Sequence, residues 1–305
     1  MKVKNLAILH GEKTTINNGV IHYTPIFEES TDGKEKEKTR KPKNADIRCD
    51  VNFNQGTIKY KFKCENKRTG VLIVFDSNDS KDTFSAGLSY YSNSFRIHST
   101  KDKTIKAIGS LSSFKSNEEI SIKYEIFGSE AKLFVNNILY CEQDINPISM
   151  PLTFRITSEG KVSLYDIEVE TVKPKLFVVM QFTNDFNNLY NDVIIPISEK
   201  AGFEVIRADE FYSSTPILND IIRSIKEASV IIADITPDNP NVFYEIGYAH
   251  AIKKPTILIC DKIREKLPFD ISSFRTLYYE NSIYGKAKIE KSLAKYLENI
   301  LENGI

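Results

Sequence analysis

The sequence predicts two domains, an all-β jelly-roll sandwich followed by a doubly wound α/β domain built on a parallel sheet. Three observations carry this reading. The chain has 305 residues, room for two hydrophobic cores at roughly 100–200 residues per domain. From Gly19 to about Glu170 apolar residues alternate with polar ones, the period of strands that bury one face. Beyond Lys173-Pro174-Lys175 that period gives way to short, wholly apolar runs separated by segments of helical spacing, the pattern of a parallel sheet covered on both sides. The expected division is residues 1–172 and 173–305.

In the first half the alternation runs through Ile47, Cys49, Val51 and Phe53, then Ile58, Tyr60, Phe62 and Cys64. It returns in Ile120, Ile122, Tyr124 and Ile126, and in Val162 and Leu164 leading to Ile167 and Val169. Asn54-Gln55-Gly56, Ser77-Asn78-Asp79, Gly128-Ser129 and Asn136-Asn137 separate these runs, with asparagines and glycines that tolerate positive φ. No segment here presents a helical face, so about ten strands in two sheets sharing one core are expected. Glu28 to Asn44 is almost entirely charged or polar and reads as a solvated, mobile loop. Its lysines are offset by Glu29, Asp32, Glu35 and Glu37.

In the second half Leu176 to Met180 is an apolar run of strand length. A helix follows from Asn184 to Lys200, with Phe186, Leu189, Tyr190, Val193 and Ile194 on one face. Phe203 to Ala208 is a strand, and Pro216 to Ala228 a helix carrying Ile217, Ile221, Ile222 and Ile225. Val230 to Ala233 is a short apolar strand, Asn241 to Lys253 a helix, Thr256 to Cys260 a strand and Arg275 to Tyr279 the last strand. Lys286 to Glu302 closes the chain as a helix with Ile289, Leu293, Tyr296, Leu297 and Ile300 inward.

Composition narrows the function. The 41 basic residues balance 41 acidic ones, so no global field exists to hold duplex nucleic acid. No run of about 18 apolar residues occurs, and no membrane span is expected. The start, MKVKNLAILHGEKTT, has an apolar patch from Leu6 to Leu9 but lacks the h-region of a signal peptide, so it is expected to stay on the protein. Cys49, Cys64, Cys141 and Cys260 form no Cys-x-x-Cys pair, and the four histidines are scattered. No disulfide scaffold, no metal and no cofactor are expected, and the setting is read as reduced and cytoplasmic. Met180 is followed by Gln-Phe-Thr-Asn, without the glycine loop of a dinucleotide fold or a P-loop. The absence of Gly-x-Ser-x-Gly disfavours an α/β-hydrolase.

In an open parallel sheet the ligand crevice lies beyond the carboxyl ends of the strands. Those positions hold Gln181 and Phe182, then Arg207, Ala208 and Asp209, then Asp234 and Thr236, then Asp261. The third loop runs Asp234-Ile235-Thr236-Pro237-Asp238-Asn239-Pro240-Asn241 into a helix that carries Tyr244, Glu245, Gly247, Tyr248 and His250. With Asn241 as N-cap, Glu245 falls in about the first turn, where the helix dipole favours its ionised form by about 0.3–1 kcal/mol. It is then a base or nucleophile at neutral pH. Gly247 costs about 1 kcal/mol in a helix interior relative to alanine, which suggests a close backbone approach. With Ala249 and Ala251 it lets the helix lie tight on the sheet and aim Glu245 into the crevice. Plainer readings stand beside these: a glutamate merely matched to the dipole, Asp234 as a turn residue, His250 as a packed histidine, and Tyr244 with Tyr248 as a packing stripe.

Phe177-Val178-Val179-Met180-Gln181-Phe182, Ala201-Gly202-Phe203-Glu204-Val205-Ile206-Arg207-Ala208-Asp209, Ile232-Ala233-Asp234-Ile235-Thr236 and the run from Asn239 to Ala251, with Pro268-Phe269-Asp270-Ile271, Arg275 and Tyr278, resemble the bacterial proteins related to nucleoside 2-deoxyribosyltransferases, often described as TIR-like nucleotide-binding domains. The resemblance covers about Lys175 to Tyr279. It implies a flavodoxin-like sheet and a carboxylate at the glycosidic bond, with Glu245 at the nucleophile position and Asp234 beside it. Asp209, Asn241 and Asp234 are candidates for sugar hydroxyls or the leaving base, with Gln181, Phe182, Asn239 and Tyr244 completing a substrate site. The transferases have an aspartate six residues before the nucleophile, where this chain has Asn239, a departure that puts base handling and strict deoxyribosyl transfer in doubt. The first half resembles, more loosely, concanavalin A-like or laminin G-like sandwiches, through the Asn136-Asn137 hairpin and the final strand Val162 to Val169. Together these imply an N-glycosidase effector that cleaves NAD or a deoxynucleoside derivative, in antiphage or stress defence, as a homo-oligomer. The alternatives are a non-catalytic nucleotide receptor, and a module whose sandwich binds a glycan or protein ligand.

Overall fold

A computed structural model describes residues 5–30, 39–76, 83–99, 104–145, 150–208 and 217–303. The chain forms two compact units, one of residues 1–126 with 131–171 and one of residues 127–130 with 172–305.

The first unit holds sixteen strands among its described residues, where about ten were expected. They are β1 (Leu6–His10), β2 (Thr14–Asn17), β3 (Val20–Tyr23), β4 (Phe27–Ser30), β5 (Thr39–Pro42), β6 (Ala45–Phe53), β7 (Gly56–Cys64) and β8 (Thr69–Asp76). There follow β9 (Thr83–Leu88), β10 (Phe95–Ser99), β11 (Thr104–Ile108), β12 (Ile120–Phe127), β13 (Glu130–Val135), β14 (Ile138–Asp144), β15 (Met150–Ser158) and β16 (Val162–Thr171). One sheet has the order β1-β6-β15-β8-β9-β10-β11 and the other β14-β13-β12-β7-β16-β3-β2. The core lies between them. Tyr60 of β7 meets Phe154 of β15 edge-on, with ring centroids 5.1 Å apart, a favourable aromatic geometry.

The extra strands are short. β2 and β3 have four residues each and turn through Asn18 and Gly19, both at positive φ. This is the two-residue hairpin that suits the right-handed strand twist, but four residues are too few to show a period. The expected loop over Glu28 to Asn44 is corrected at its two ends, where β4 and β5 pair antiparallel with Glu28 opposite Lys41; residues 31–38 lie outside the described residues. Main-chain pairing at an edge requires no apolar alternation, which is why composition missed it. The turn expected at Ser77-Asn78-Asp79 lies outside the described residues.

Gly56 opens β7 at φ +133°, and a Cβ there would stand 1.9 Å from the Glu170 carbonyl oxygen. Gly56→Ala is expected to cost roughly 2 kcal/mol or more through backbone strain. Urea unfolding measures it, and an unchanged midpoint contradicts the close approach.

The second unit is a five-stranded parallel sheet of β17 (Lys175–Val179), β18 (Glu204–Arg207), β19 (Val230–Asp234), β20 (Thr256–Asp261) and β21 (Thr276–Tyr279), ordered β18-β17-β19-β20-β21. This is the flavodoxin-like order, whose winding reverses between the first and third strands. Along β17, Leu176 and Val178 face a core shared with Leu293 and Leu297, while Phe177 and Val179 face one shared with Ile225, Val242 and Ile246. Both faces are therefore covered, and the strand reads as continuously apolar.

The helix expected from Asn184 to Lys200 is three pieces: α1 (Asn184–Leu189), a π turn over Tyr190–Ile194, and α2 (Ile195–Lys200). Pro196 sits in the first turn of α2. It offers no N–H to the preceding turn and its ring crowds the carbonyl four residues back, which accounts for the widening before it. The remaining helices are α3 (Ile217–Glu227), α4 (Pro240–Ala251), α5 (Phe269–Ser272) and α6 (Ile283–Asn303). At four residues, α5 is too short to read from spacing. No helix among the described residues is long and apolar enough to cross a membrane.

Candidate functional site

β17 and β19 lie side by side, with Val179 opposite Ala233, so their carboxyl ends mark the reversal point of the sheet. The loop after β19 is fastened from three directions. Asp234 Oδ1 accepts from the Thr236 N–H (2.8 Å), and Oδ2 accepts from the Tyr279 hydroxyl (2.7 Å) at the end of β21. Thr236 Oγ1 accepts from the Asp261 N–H (2.9 Å) at the end of β20. Arg264 donates to the Thr236 carbonyl (3.0 Å) and the Ile235 carbonyl, and pairs with Asp238.

Asp234 is 0% exposed. Burial raises its carboxyl above the usual range, against the lowering effect of the Thr236 and Tyr279 hydrogen bonds. It was expected to meet sugar hydroxyls or protonate a leaving base; in the structure both of its oxygens accept hydrogen bonds from within the chain. Tyr279, pushed well above its ordinary range by burial and by Asp234, and Arg264 are partners that sequence reasoning missed. Tyr279 carries a signal, because it ends a strand of a parallel sheet. Arg264 carries none.

The helix cap also differs from expectation. Asn239, at φ −112° and ψ 113°, caps α4 by accepting the Asn241 N–H at its Oδ1 (3.0 Å), and Pro240 is the first helical residue. Proline belongs there because its missing N–H is one the helix leaves unpaired. Asn241 is an exposed second residue, not the cap. Glu245 is consequently the sixth residue of α4, beyond the first turn in which the dipole acts. Desolvation dominates there and pushes its carboxyl up to about 7, so the expected dipole-stabilised carboxylate is corrected to a group near its midpoint at neutral pH. Glu245 is half-buried and has no hydrogen bond or ion pair among the described residues.

α4 packs Val242, Ile246 and Ala249 against the sheet. The reading of Gly247 as a close-approach residue is corrected: it is exposed, and a Cβ there would meet nothing within 4 Å. Ala251 is exposed as well, so Ala249 alone of the three small residues lies against the sheet. His250 stacks on Phe274 at 4.2 Å, and burial lowers its pKa, as the packed reading proposes.

At the other side of the reversal point Arg207 ends β18, 6% exposed. Its guanidinium lies 4.0 Å from the Tyr190 ring centroid and 5.3 Å from that of Phe182. Phe182 is 52% exposed, Tyr244 is 53% exposed and Gln181 is half-buried. Asp209 lies outside the described residues. The structure thus brings Phe182 and Arg207 together, and Asp234, Thr236, Tyr279 and Asp261 together. No hydrogen bond joins Glu245 to Gln181, Asn239 or Asp234 among the described residues.

No group of three or more metal-ligating side chains occurs among the described residues. The sandwich has a cleft of about 480 Å³ lined by Glu12, Thr14, Tyr23, Lys43 and Tyr91 among others. All four cysteines are buried and free.

No family model matches the chain, and no curated protein matches it. Solved structures of similar shape include the carbohydrate-binding module CBM66 from Bacillus subtilis, at 11% identity and a TM-score of 0.34, covering 49% of this chain and 93% of that one. A β-glucanase of Bacillus licheniformis has 9% identity and a TM-score of 0.39, with 53% and 89% of the two chains covered. A protein of unknown function from Saccharomyces cerevisiae has 10% identity and a TM-score of 0.40, with 56% and 99% covered. Similarity at this level carries no argument about activity. The sandwich rests on its own two sheets.

Proposed function

We propose that the α/β unit is an N-glycosidase acting on the base–sugar bond of a nucleotide or nucleoside, with Glu245 as its reactive carboxylate. The observation that carries the reading is Glu245 itself: a half-buried carboxyl without a partner among the described residues, near neutrality, on the helix that follows the central strand. A group with that pKa is substantially ionised at pH 7, so the nucleophilic form is present. The ionised form bonds to C1′ while the C1′–N pair leaves with the base: nicotinamide departs neutral without a proton, whereas a purine or pyrimidine takes one from solvent. Water then cleaves the sugar ester and restores the carboxylate. The exposed rings of Phe182 and Tyr244 offer faces for a base, and the Asp234–Thr236–Tyr279 hydrogen bonds hold the loop that starts α4. The motif resemblance over Lys175 to Tyr279 supports the same chemistry.

The test is incubation of the full chain with NAD, NADP and a panel of nucleosides and deoxynucleosides, followed by chromatography for free base. Release is expected from at least one. A second reading, a receptor that binds the nucleotide without turnover, is favoured by the sealed Asp234 and by Asn239 where the transferases carry an acid. It predicts saturable binding with the ligand recovered intact.

A further inference from the structure

We propose that Arg264 is a positioning residue of the base-releasing site: by gripping the main chain just ahead of α4 it sets where that helix starts and so where Glu245 stands. This rests on the reading of Glu245 as the reactive carboxylate and adds to it a residue from a different loop.

The root of Arg264 is fixed by the sheet. Asp261 ends β20, and its Oδ1 accepts the Ile263 N–H (3.0 Å) while its carbonyl accepts the Arg264 N–H (3.1 Å). An aspartate that bonds its own main chain two residues on makes a tight turn. The Lys262 N–H donates to the Tyr279 carbonyl (2.9 Å) at the end of β21, and the Asp261 N–H donates to Thr236 Oγ1 (2.9 Å) after β19. The arginine therefore springs from a turn tied to both neighbouring strands.

Its guanidinium then crosses to the loop after β19. Nη1 donates to the Ile235 and Thr236 carbonyls, Nη2 pairs with Asp238, and Nε donates to the Lys266 carbonyl (2.9 Å). A planar fork meets several acceptors at once, which the ammonium of a lysine, a single point of charge, does not. The Arg264 side chain is 9% exposed and that of Asp238 is 78% exposed. The grip thus lies mainly in the carbonyls, because an exposed ion pair contributes little and a buried acceptor stripped of its donor is costly. An arginine that binds substrate presents a free fork; every nitrogen of this one is engaged.

From the gripped segment to the helix there is little slack. Asn239, next after Asp238, caps α4; its N–H bonds the Pro237 carbonyl (3.0 Å) and its carbonyl accepts the Phe243 N–H (3.1 Å). Pro237 and Pro240 restrict φ on both sides of the cap. A displacement of Ile235 to Asp238 is therefore carried into α4, and Glu245 lies on its second turn.

The test is Arg264→Met in the full chain, with Arg264→Lys and Asp238→Asn beside it. Each is assayed for base release from NAD, NADP, nucleosides and deoxynucleosides, and by hydrogen exchange of the amides from 235 to 245. Arg264→Met is expected to lower kcat by about ten- to a hundredfold, the cost of a misplacement of about 1 Å, with KM changed by no more than about threefold. Exchange over 235–245 should quicken. The midpoint of the kcat/KM profile should move from about 7 toward the ordinary 4.5, as the displaced carboxyl regains water. A residue needed only for folding lowers the amount of active protein and leaves that midpoint in place. Arg264→Lys should recover little of the rate, and Asp238→Asn should lose little of it. If Arg264→Met does not fold, the same readouts on Arg264→Lys decide. A raised KM with unchanged kcat makes Arg264 a substrate ligand and overturns the proposal. Wild-type kcat in the folded variants, or a loss of kcat with exchange and midpoint both unmoved, also overturns it, and in either case the reading of Glu245 stands. No release by the wild type from any substrate removes that reading and the positioning role with it.

Discussion

Replacing Glu245 by glutamine is expected to lower base release by about a hundred- to ten-thousand-fold, with substrate binding changed only a few-fold because the amide keeps the shape of the carboxyl. The pH profile is the sharper readout. Burial sets the Glu245 carboxyl at about 7, and the nucleophile is the ionised form, so kcat/KM, which follows the ionisations of the free protein, should rise between pH 6 and 8 with its midpoint near that value. Stability must move the other way. The folded pKa lies above the ordinary value of 4.5, so the group's favourable contribution is complete below the unfolded pKa and is lost as pH rises through about 7. Glu245→Gln should therefore gain thermal stability relative to wild type at pH 8 and gain little at pH 5. If the difference in Tm is the same at both, the desolvated environment assigned to Glu245 is wrong. If base release is unaffected at every pH, another group carries the chemistry.

The parallel half of the fold was legible because β17 and β19 are apolar on both faces and their helices carry amphipathic stripes, signals that need only local composition. The shortest strands were not. β2, β3, β4 and β5 have four residues each and are held by main-chain pairing, which leaves no mark on side-chain periodicity. The site divides along a similar line. Strand-end logic found Phe182, Arg207 and Asp234 as candidates, because the topology of an open sheet determines where polar residues become reachable, while Glu245 came from its place on the following helix and from the motif resemblance. It could not tell which of them face a ligand. Asp234 and Glu245 are both carboxylates near one strand end, yet one is sealed by Tyr279, 45 residues away in sequence, and the other has no partner among the described residues. That difference depends on long-range packing. The cap of α4 was misplaced by two residues, from Asn239 to Asn241, and with it the electrostatic character of Glu245: a shift of half a turn exchanges dipole stabilisation for desolvation.

Removing the Asp234 carboxyl should damage the α/β unit far more than its exposure suggests. Asp234→Ala leaves the Thr236 N–H without its acceptor and takes one acceptor from the Tyr279 hydroxyl, at about 1–3 kcal/mol for each buried polar group left unsatisfied. Asp234→Asn retains an acceptor for Thr236 and a polar atom opposite Tyr279, whose hydroxyl can turn to accept from the amide or stay with Thr236 Oγ1, 3.2 Å away. The expected order of stability in urea unfolding is wild type, then Asn, then Ala, with the larger drop at the second step. This order separates the two roles that a strand-end aspartate can have. A positioning residue tolerates Asn and keeps the loop before α4 in place, so Asp234→Asn should retain most of any base release that Glu245 supports. A residue that donates a proton to the leaving base loses that release with Asn while remaining fully folded. Loss of release in a stable Asp234→Asn protein would restore the acid role that the sealed geometry denies, and it would mean that the Tyr279 hydrogen bond opens when substrate enters.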